Sequence, residues 1–355
     1  MGRAATTRVM GIGTAVALAG LSLASTPVAG AWGRWPSRSG YGLSVAVGPA
    51  GGGRVVAFEA PVGKASPGAL ALTAKLVAGR LGAMGVQHAS AYRQGQGIVI
   101  SLPRAPDDGQ VLRFATEPGR LLFRPVACEV APYRAASGRL VAKAPRLSAL
   151  CHGPTAAQAG YPTTPAGQDG RSSTVLLAPS YPGPRLVLGP AEMTGSIVKA
   201  ASAMFDRYGG GWQVALSFSP AGSALFDHYA AAHYRCYKQR PYNYNPPPCA
   251  QQAVDLDGVV LSAPFVEAAT FGGSAVISGS TAHPFSREQA TGIAAVIGHG
   301  PLPARLRAQG LQTITPSHPQ GPGAGPRLSL TATTAPPHLG PAPPAAKWWA
   351  THLHH

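Results

Sequence analysis

The sequence predicts an α+β protein with two folded blocks, at residues 41–126 and 189–306, between a signal segment and a disordered C-terminal tail. Three observations support this fold class. Apolar residues make up 45% of the chain but seldom run together for long, which excludes a coiled coil and a polytopic membrane protein. Each block alternates strand patterns with helix patterns, and turn signals separate them. The excess of Gly and Pro, 45 and 36 of 355 residues, is expected in linkers and tails.

The first 31 residues have the pattern of a secretory signal peptide. Arg3 and Arg8 supply positive charge, an uncharged and mostly apolar run follows, and Ala29-Gly30-Ala31 offers small residues for cleavage. We therefore expect an extracytoplasmic protein that is secreted or held at the cell surface. An uncleaved N-terminal anchor is the alternative, because residues 9–31 are nearly long enough to span a bilayer. No further membrane span is expected beyond residue 40.

The chain is strongly basic, with 29 Lys and Arg against 13 Asp and Glu. Removal of the signal segment takes away two Arg and no acid, so 27 basic and 13 acidic residues remain and the charge is +14. Such a charge favours anionic surfaces, which outside a cell are lipid headgroups or acidic envelope polymers. No nucleic-acid partner is expected, because the chain lacks a nucleic-acid-binding motif. A GC-rich coding bias, which favours Arg over Lys, is the alternative explanation.

Four cysteines lie in the exported part of the chain, at Cys128, Cys151, Cys236 and Cys249. An even number of cysteines in an oxidising compartment predicts two disulfide bonds. Three pairings are possible, and we favour Cys128 with Cys151 and Cys236 with Cys249, because each pair brackets a short segment rich in turn formers. A metal site is the weaker alternative, because no Cys-x-x-Cys spacing occurs.

The first block has the element order β-α-β-β-α-β. Residues 54–60 alternate as a strand, and Ser66-Pro67 begins a helix because Ser caps the first turn and Pro fits its first position. Strands at 86–92 and 97–102, a short helix at 107–116 and a last strand at 121–126 follow. This order is that of the ferredoxin-like split βαβ arrangement.

The second block follows a segment at 127–188, which we interpret as a connection with short strands near Leu140 and at 173–177. Residues 212–218 alternate as a strand, and Ser219-Pro220 opens a helix that reaches about Tyr234. Asp257-Gly258 between two apolar runs predicts a two-residue hairpin of type I′. A capping-box sequence at 286–289 begins the last helix, which ends at Gly298 or Gly300.

The chain from residue 317 to residue 355 is rich in Pro, Gly, Ala and Thr and has no period. Such a composition cannot bury enough apolar surface to offset the ordering of the chain, so this tail is predicted to be disordered. Its last residues, which include two Trp and three His, are interpreted as solvated tail, with a membrane-interface or metal-binding role as the alternatives.

No pattern typical of an enzyme, a cofactor site or a metal site occurs in the sequence. There is no Gly-x-Ser-x-Gly or His-Glu-x-x-His motif, and the glycines at 51–53 lack the Lys-Ser/Thr of a phosphate loop. Asp255 and Asp257 are two residues apart, but Asp257 has a backbone role in the predicted hairpin. We therefore predict a protein that is not an enzyme and has no catalytic residue, cofactor or metal.

The second block resembles the head of the large extracytoplasmic domain of SecD, the accessory subunit of the bacterial protein-export channel. The resemblance rests on the strand at 212–218, on Ala-Glu-Met-Thr-Gly at 191–195, which is expected to precede a helix, and on the motif residues Asp257, Gly258, Ser262, Ala263, Pro264, Gly279, Gly300, Leu302 and Pro303. The first block resembles the base of that domain through residues 80–86, 102–103 and 121–124. The resemblance spans residues 41–315 and implies a ferredoxin-like base subdomain, a smaller α+β head subdomain and a return to the base at 307–316.

SecD proper continues into a membrane half that couples a proton gradient to export, and here the Pro-rich tail stands in that place. The resemblance therefore implies a base and head without the motor, a module thought in the family to capture an emerging polypeptide. Edge strands and apolar grooves suit this task, because an extended chain can add to a sheet whatever its sequence. The leading hypothesis is an exported module that binds unfolded or emerging exported polypeptide, with Sec translocon components as further partners, and assists export or folding. A basic adhesion or structural protein on anionic wall polymer or lipid is the alternative.

Overall fold

The structure is a computed structural model, and it describes residues 54–105, 107–134, 146–153, 155–239, 246–316 and 328–331. The predictions for the signal segment, for the strand near Leu140 and for most of the C-terminal tail lie outside these residues. Within the described ranges, no helix is both long and apolar enough to cross a membrane.

The described residues form a mixed α and β structure, which confirms the predicted fold class. In chain order, the strands are β1 (Arg54–Pro61), β2 (Ser90–Gln94), β3 (Gly97–Pro103), β4 (Leu121–Val130), β5 (Val175–Pro179), β6 (Arg185–Leu188), β7 (Met193–Thr194), β8 (Val198–Asp206), β9 (Gly211–Phe218), β10 (Gln252–Leu256), β11 (Val259–Ser262), β12 (Ser274–Ser278), β13 (Leu306–Pro316) and β14 (Leu328–Thr331). The helices are α1 (Pro67–Ala83), α2 (Asp108–Thr116), α3 (Leu147–Leu150), α4 (Thr155–Gly160), α5 (Pro220–Lys238) and α6 (Arg287–His299). Short 3₁₀ turns lie at Gly195–Ile197 and Pro248–Ala250.

The first sheet has five strands in the order β14-β13-β1-β3-β2, with α1 and α2 on one face. Helix α1 begins where the sequence predicts it, because the Ser66 hydroxyl accepts a 3.1 Å hydrogen bond from the Ala69 N–H and Pro67 is the first helical residue. Alternate residues of β1 and β3 pack against the helices. This core contains Val55, Ala57, Leu70, Ala74, Val77, Leu81, Ile98, Ile100, Leu102 and Leu112. The arrangement is ferredoxin-like, as predicted.

The strand beside β1 is β13 and not the predicted last strand at 121–126. Arg54 pairs with Ile314 and Pro61 pairs with Leu306, so residues 117–305 are inserted before the last strand of the base. The predicted strand is present as β4, but it extends to Val130 and lies in the second sheet. This prediction was wrong because a local pattern reveals a strand without revealing its distant partner.

Two further segments at the edges of the first sheet differ from the sequence prediction. The tail contributes the short strand β14, in which Thr331 pairs with Thr313 at the edge of β13. Strand β2 begins at Ser90 and not at residue 86. The chain first turns at His88, which has a φ of 57° and whose carbonyl accepts a 2.9 Å hydrogen bond from the Arg54 guanidinium.

The second sheet contains a closed ring of five strands. The N-terminal half of β4 pairs with β10 and its C-terminal half with β6, while β10 pairs with β11, β11 with β5, and β5 with β6. All five strands contribute to one buried cluster, formed by Val126, Val175, Leu177, Leu186, Leu188, Ala253 and Val260. The segment at 127–188, predicted as a connection, thus supplies two whole strands and the end of β4.

The third sheet has the order β12-β9-β8 and packs against α5 and α6. Strand β9 confirms the predicted strand at 212–218. Helix α6 begins at the predicted capping box, in which the Ser286 hydroxyl accepts from the Gln289 N–H and the Gln289 side chain accepts from the Ser286 N–H. Helix α6 also packs against α1 and α2, so the two blocks share a contact face.

The segment after residues 191–195 is not the helix that the sequence suggests. A 3₁₀ turn at Gly195–Ile197 leads directly into β8. The Ala and Met residues of this segment favour a helix locally, but pairing with β9 along the whole of β8 outweighs that propensity.

Both predicted disulfide bonds are present in the structure. Cys128 at the end of β4 is bonded to Cys151 after α3, with a Cα–Cα distance of 5.6 Å. Cys236 in the last turn of α5 is bonded to Cys249, with a Cα–Cα distance of 6.0 Å. The second bond thus joins α5 to the 3₁₀ turn that precedes β10.

Candidate functional site

A groove with a volume of about 550 Å³ runs between β8 and α6. Five consecutive residues of β8, from Lys199 to Ala203, line it. Because successive side chains of a strand point to opposite faces, a surface that touches all of them follows the edge of the strand. In the described part of the chain β8 pairs only with β9. Its other edge therefore presents backbone N–H and C=O groups to the groove.

The walls of the groove are made of small side chains. Strand β8 contributes Ala200, Ala201 and Ala203, and α6 contributes Ala294, Ala295 and Gly298. At Gly298 the helix comes so close to the strand that a Cβ atom would lie 3.7 Å from the Ala201 carbonyl oxygen. The small residues therefore allow α6 to pack closely against β8 beside the open edge of that strand.

The two ends of the groove are marked by different residues. Trp212 lies at the end near the start of α6, where the Arg287 guanidinium is 5.6 Å from the centre of its ring. Phe205, which pairs with Trp212 across the two strands, contacts the same indole edge to face at 5.6 Å between ring centres. Lys199 lies at the opposite end, together with His299 of the last turn of α6.

The motif residues of the hairpin between β10 and β11 do not line this groove. Asp257 and Gly258 have φ angles of 54° and 87°, so they form the two-residue turn that the sequence predicts. The Asp257 carboxylate accepts hydrogen bonds from the Gly119 N–H at 2.7 Å and the Arg120 N–H at 2.9 Å. Burial raises the pKa of Asp257 above its ordinary value, although these two hydrogen bonds oppose the shift. Asp257 therefore ties the hairpin to the chain between α2 and β4.

Gly300 belongs to a second junction, which is centred on the buried side chain of Arg80. The Arg80 guanidinium donates to the Gly300 carbonyl at 2.7 Å, to the Ala115 carbonyl at 3.2 Å and to the Glu117 carbonyl. It thus joins α1 to the carboxyl ends of α2 and α6, where the helix dipoles favour a cation. Burial lowers the pKa of Arg80 to about 10, and burial together with Asp257 raises the pKa of the Glu117 carboxyl group to about 7.

The remaining motif residues pack in the core, form backbone hydrogen bonds or lie where the backbone passes close to itself. Leu302 packs into the core of the first block, and its N–H donates to the Pro118 carbonyl at 2.8 Å. The carbonyl of Pro264 accepts from Gln252, and that of Ala263 accepts from the Gln251 side chain. A Cβ at Gly279 would lie 2.3 Å from the His283 carbonyl oxygen, so no side chain fits there. Ser262 ends β11, and Pro303 follows Leu302 on the way to β13.

A buried ion network, which the sequence analysis missed, lies beside the closed ring. Arg124 of β4 is 0% exposed, and all five of its N–H groups donate. Two of these bonds reach the carboxylates of Asp169 at 2.6 Å and Asp255 at 2.9 Å, and the others reach backbone carbonyls. Burial and the neighbouring Asp169 raise the pKa of Asp255 to about 7. Asp255 is thus part of the framework, and its spacing from Asp257 reflects the hairpin.

His233 of α5 links three parts of the head. Its Nε2 atom lies 2.9 Å from a carboxylate oxygen of Glu192, and its Nδ1 atom lies 2.7 Å from the carbonyl oxygen of Cys249. Both partner atoms are hydrogen-bond acceptors, so a doubly protonated, cationic ring satisfies both contacts. Burial lowers the pKa of His233, but the bonds to Glu192 and Cys249 outweigh it and the pKa is raised. Within the described residues no group of His, Cys, Asp and Glu is arranged to hold a metal ion.

Comparison with known proteins relates this fold to one family. The family model of the SecDF P1 head subdomain matches residues 173–304. The protein translocase subunit SecD of Syntrophobacter fumaroxidans is 27% identical over 261 residues, which are 73% of this chain and 42% of that protein. The chain is related to the extracytoplasmic part of SecD. The subunit SecDF of Thermus thermophilus is 33% identical over 163 residues, 43% of this SecD-like chain and 20% of that protein.

The chain also aligns with a crystal structure of SecDF in a super-membrane-facing form, with 27% identity and a TM-score of 0.47. The alignment covers 75% of this chain and 30% of the SecDF chain. The chain spans less than half the length of the curated relatives that it matches. The residues matched by the head-subdomain model, 173–304, contain both β8 and α6 and so all the lining residues of the groove except Ala83 of α1. The resemblance to SecD that the sequence analysis draws is confirmed.

The residues that line the groove were not identified from the sequence. The signal was present, because residues 200–203 and 294–298 are both rich in Ala and Gly. Small residues are usually interpreted as packing or coding bias, and β8 was not recognised as a strand. Without the strand, the two segments have no reason to face each other.

Proposed function

We propose that this protein is a non-catalytic, extracytoplasmic accessory module of protein export that binds an extended polypeptide in the groove between β8 and α6. The observation that carries the proposal is the open edge of β8 at the wall of this groove. An added strand satisfies the backbone groups of that edge through main-chain hydrogen bonds, which every polypeptide offers. The named relatives are protein translocase subunits.

The proposed partners follow from the same relationship. An exported polypeptide emerges unfolded and has its backbone groups free, so it can pair with β8 before it folds. Components of the Sec translocon are the second proposed partner, because the relatives carry the name of that machinery. The proposal places the protein outside the cytoplasm, which agrees with the two disulfide bonds of the structure.

Site-specific photocrosslinking tests the proposal. A photoreactive amino acid at Ser202, an exposed residue of the groove wall, is compared with the same amino acid at Lys75, an exposed residue of α1. The full chain is incubated with an unfolded exported polypeptide and irradiated. We expect crosslinks from position 202 and background from position 75. Equal crosslinking from both positions would contradict the proposal.

A substitution that fills the groove should prevent polypeptide binding, and the same substitution away from the groove is its matched control. The Gly298→Phe substitution places a large side chain in the groove, whereas Gly82→Phe places it near the end of α1, where a Cβ meets no atom within 4 Å. We expect Gly298→Phe to lower polypeptide affinity by at least tenfold and Gly82→Phe to leave it within twofold. A bound peptide with alternate N-methylated amides should also lose affinity, because it has fewer main-chain donors. Unchanged binding of that peptide would exclude strand addition.

A further inference from the structure

The groove has a cation at each end, and its lining residues include no acid in the described part of the chain. Lys199 is the second residue of β8, and Arg287 is the first residue of α6 beside Trp212. Trp212 pairs with Phe205, which lies six residues after Lys199, so the two cations are separated by about 20 Å of strand. This distance corresponds to an extended segment of about seven residues.

The two cations differ from the buried arginines in their ion pairing. Among the described residues, Lys199 and Arg287 take part in no ion pair, in contrast to the buried arginines of the framework. Arg287 is held in place by the face of Trp212, and the amino end of α6 adds partial positive charge at the same position. A neighbouring cavity, which shares Arg287 and Thr291 with the groove, also contains Glu288 and Asp107, and Glu288 interacts electrostatically with Arg287.

The walls between the two cations restrict the size of the occupant. They consist mainly of Ala and Gly residues of β8 and α6, together with Ser202 and Thr291, and the volume of about 550 Å³ lies within the range of about 300–1000 Å³ that holds one small ligand. A bound strand turns alternate side chains toward α6. Only small side chains, such as those of Gly, Ala and Ser, fit in this space together with the backbone.

From these observations we infer that the groove selects extended segments of about seven residues that have small side chains between two acidic ends, and that it discriminates against segments with basic ends. The inference rests on the proposed function, because it specifies which polypeptides the same groove takes. It predicts a preference among exported chains for stretches rich in Gly, Ala and Ser with flanking Asp or Glu.

Three capped, fluorescently labelled peptides of one length test the inference by fluorescence anisotropy with the full chain. They share a Ser-Ala repeat and differ in having Asp, Ser or Lys at both ends. Each exposed charge contact contributes modestly, so we expect the Asp peptide to bind about tenfold more tightly than the Lys peptide, with the Ser peptide between them. The double variant Lys199→Glu with Arg287→Glu should reverse this order.

The high net charge of the chain, +16, requires a matched control. The double variant Lys64→Glu with Lys75→Glu changes the net charge equally at exposed positions away from the groove. It should keep the order of the wild type. If it reverses the order, as the groove variant is expected to do, or if the groove variant keeps the order, charge selection by the groove is excluded. Equal binding of all three peptides overturns the inference and leaves the proposed function intact, whereas no binding of any peptide contradicts both.

Discussion

Arg80 and Gly300 are 220 residues apart in the chain, yet the Arg80 guanidinium donates a 2.7 Å hydrogen bond to the Gly300 carbonyl. The same side chain also reaches the carboxyl end of α2. One buried cation therefore fastens the last helix of the head to two helices of the base. The groove lies on that last helix, so its position relative to the base depends on this contact.

The Gly119→Ala substitution tests this contact. Gly119 has a φ of 81°, and an added Cβ would lie 2.4 Å from an Nη atom of Arg80. We expect a loss of about 2–4 kcal/mol in the free energy of unfolding, because the guanidinium must leave its buried acceptors in addition to the backbone strain. The control is Gly63→Ala, which has a φ of 87° and no atom within 4 Å of the added Cβ. It should cost about 1 kcal/mol. Equal losses in urea unfolding would show that Arg80 can move freely.

The Arg124→Met substitution should be among the most destabilising changes in the head. It leaves the carboxylates of Asp169 and Asp255 buried without their cation, which typically costs about 3–5 kcal/mol. Arg235→Met, at an exposed position of α5, should stay within about 0.5 kcal/mol. Chemical unfolding of both variants measures the difference. A loss below about 1 kcal/mol for Arg124→Met would mean that the network adds little to stability.

His233 should make the head more stable at low pH than at high pH. Its pKa is raised in the folded state, so its contribution is fully present below the ordinary pKa of histidine, about 6.5, and is lost as the pH rises through the folded value. The free energy of unfolding of the wild type minus that of His233→Gln should therefore be largest below about pH 6.5 and fall as the pH rises above it. His228→Gln, at an exposed position of the same helix, is the matched control. If the difference for His233→Gln does not change with pH, the interpretation that both ring nitrogens of His233 donate hydrogen bonds is contradicted.

Glu59→Gln should stabilise the protein at alkaline pH. Burial raises the pKa of Glu59 from 4.5 to about 7, so the folded state holds a proton that the unfolded state releases. Stability is then lost as the pH rises from about 4.5 to about 7, and Gln avoids this loss. We expect a gain of up to about 3 kcal/mol at pH 8 and none at pH 4, measured by urea unfolding. Glu129→Gln, on an exposed residue, should show no such pH dependence. A gain that is equal at both pH values would exclude ionisation as the cause.

Helix starts and turns could be predicted from short sequence motifs. The capping box at Ser286, the Ser66-Pro67 helix start and the Asp257-Gly258 turn appear where the sequence places them. Each of these depends on residues within one or two turns of chain. The disulfide pairing also followed from short separations, of 23 and 13 residues.

Long-range pairing and the groove could not be predicted in the same way. Strand β4 was assigned to the wrong sheet because its partners in β10 lie about 130 residues further on, and nothing in its own pattern selects them. Strand β8 was missed because its Ala and Met residues suit a helix until β9 is beside it. The candidate site lies between β8 and α6, so it becomes visible only when both are placed in space.

The insertion of the head between α2 and β13 has a consequence for how the chain assembles. When the chain emerges with its N-terminus first, one edge of β1 can pair with β3 early, but its other edge must wait for β13, which is more than 240 residues away, as for Pro61 and Leu306. Until the whole head has emerged, the incomplete sheet of the base exposes an unpaired strand edge, which can pair with another chain. During its own synthesis the protein therefore exposes an unpaired strand edge, as do the unfolded exported polypeptides that we propose it binds.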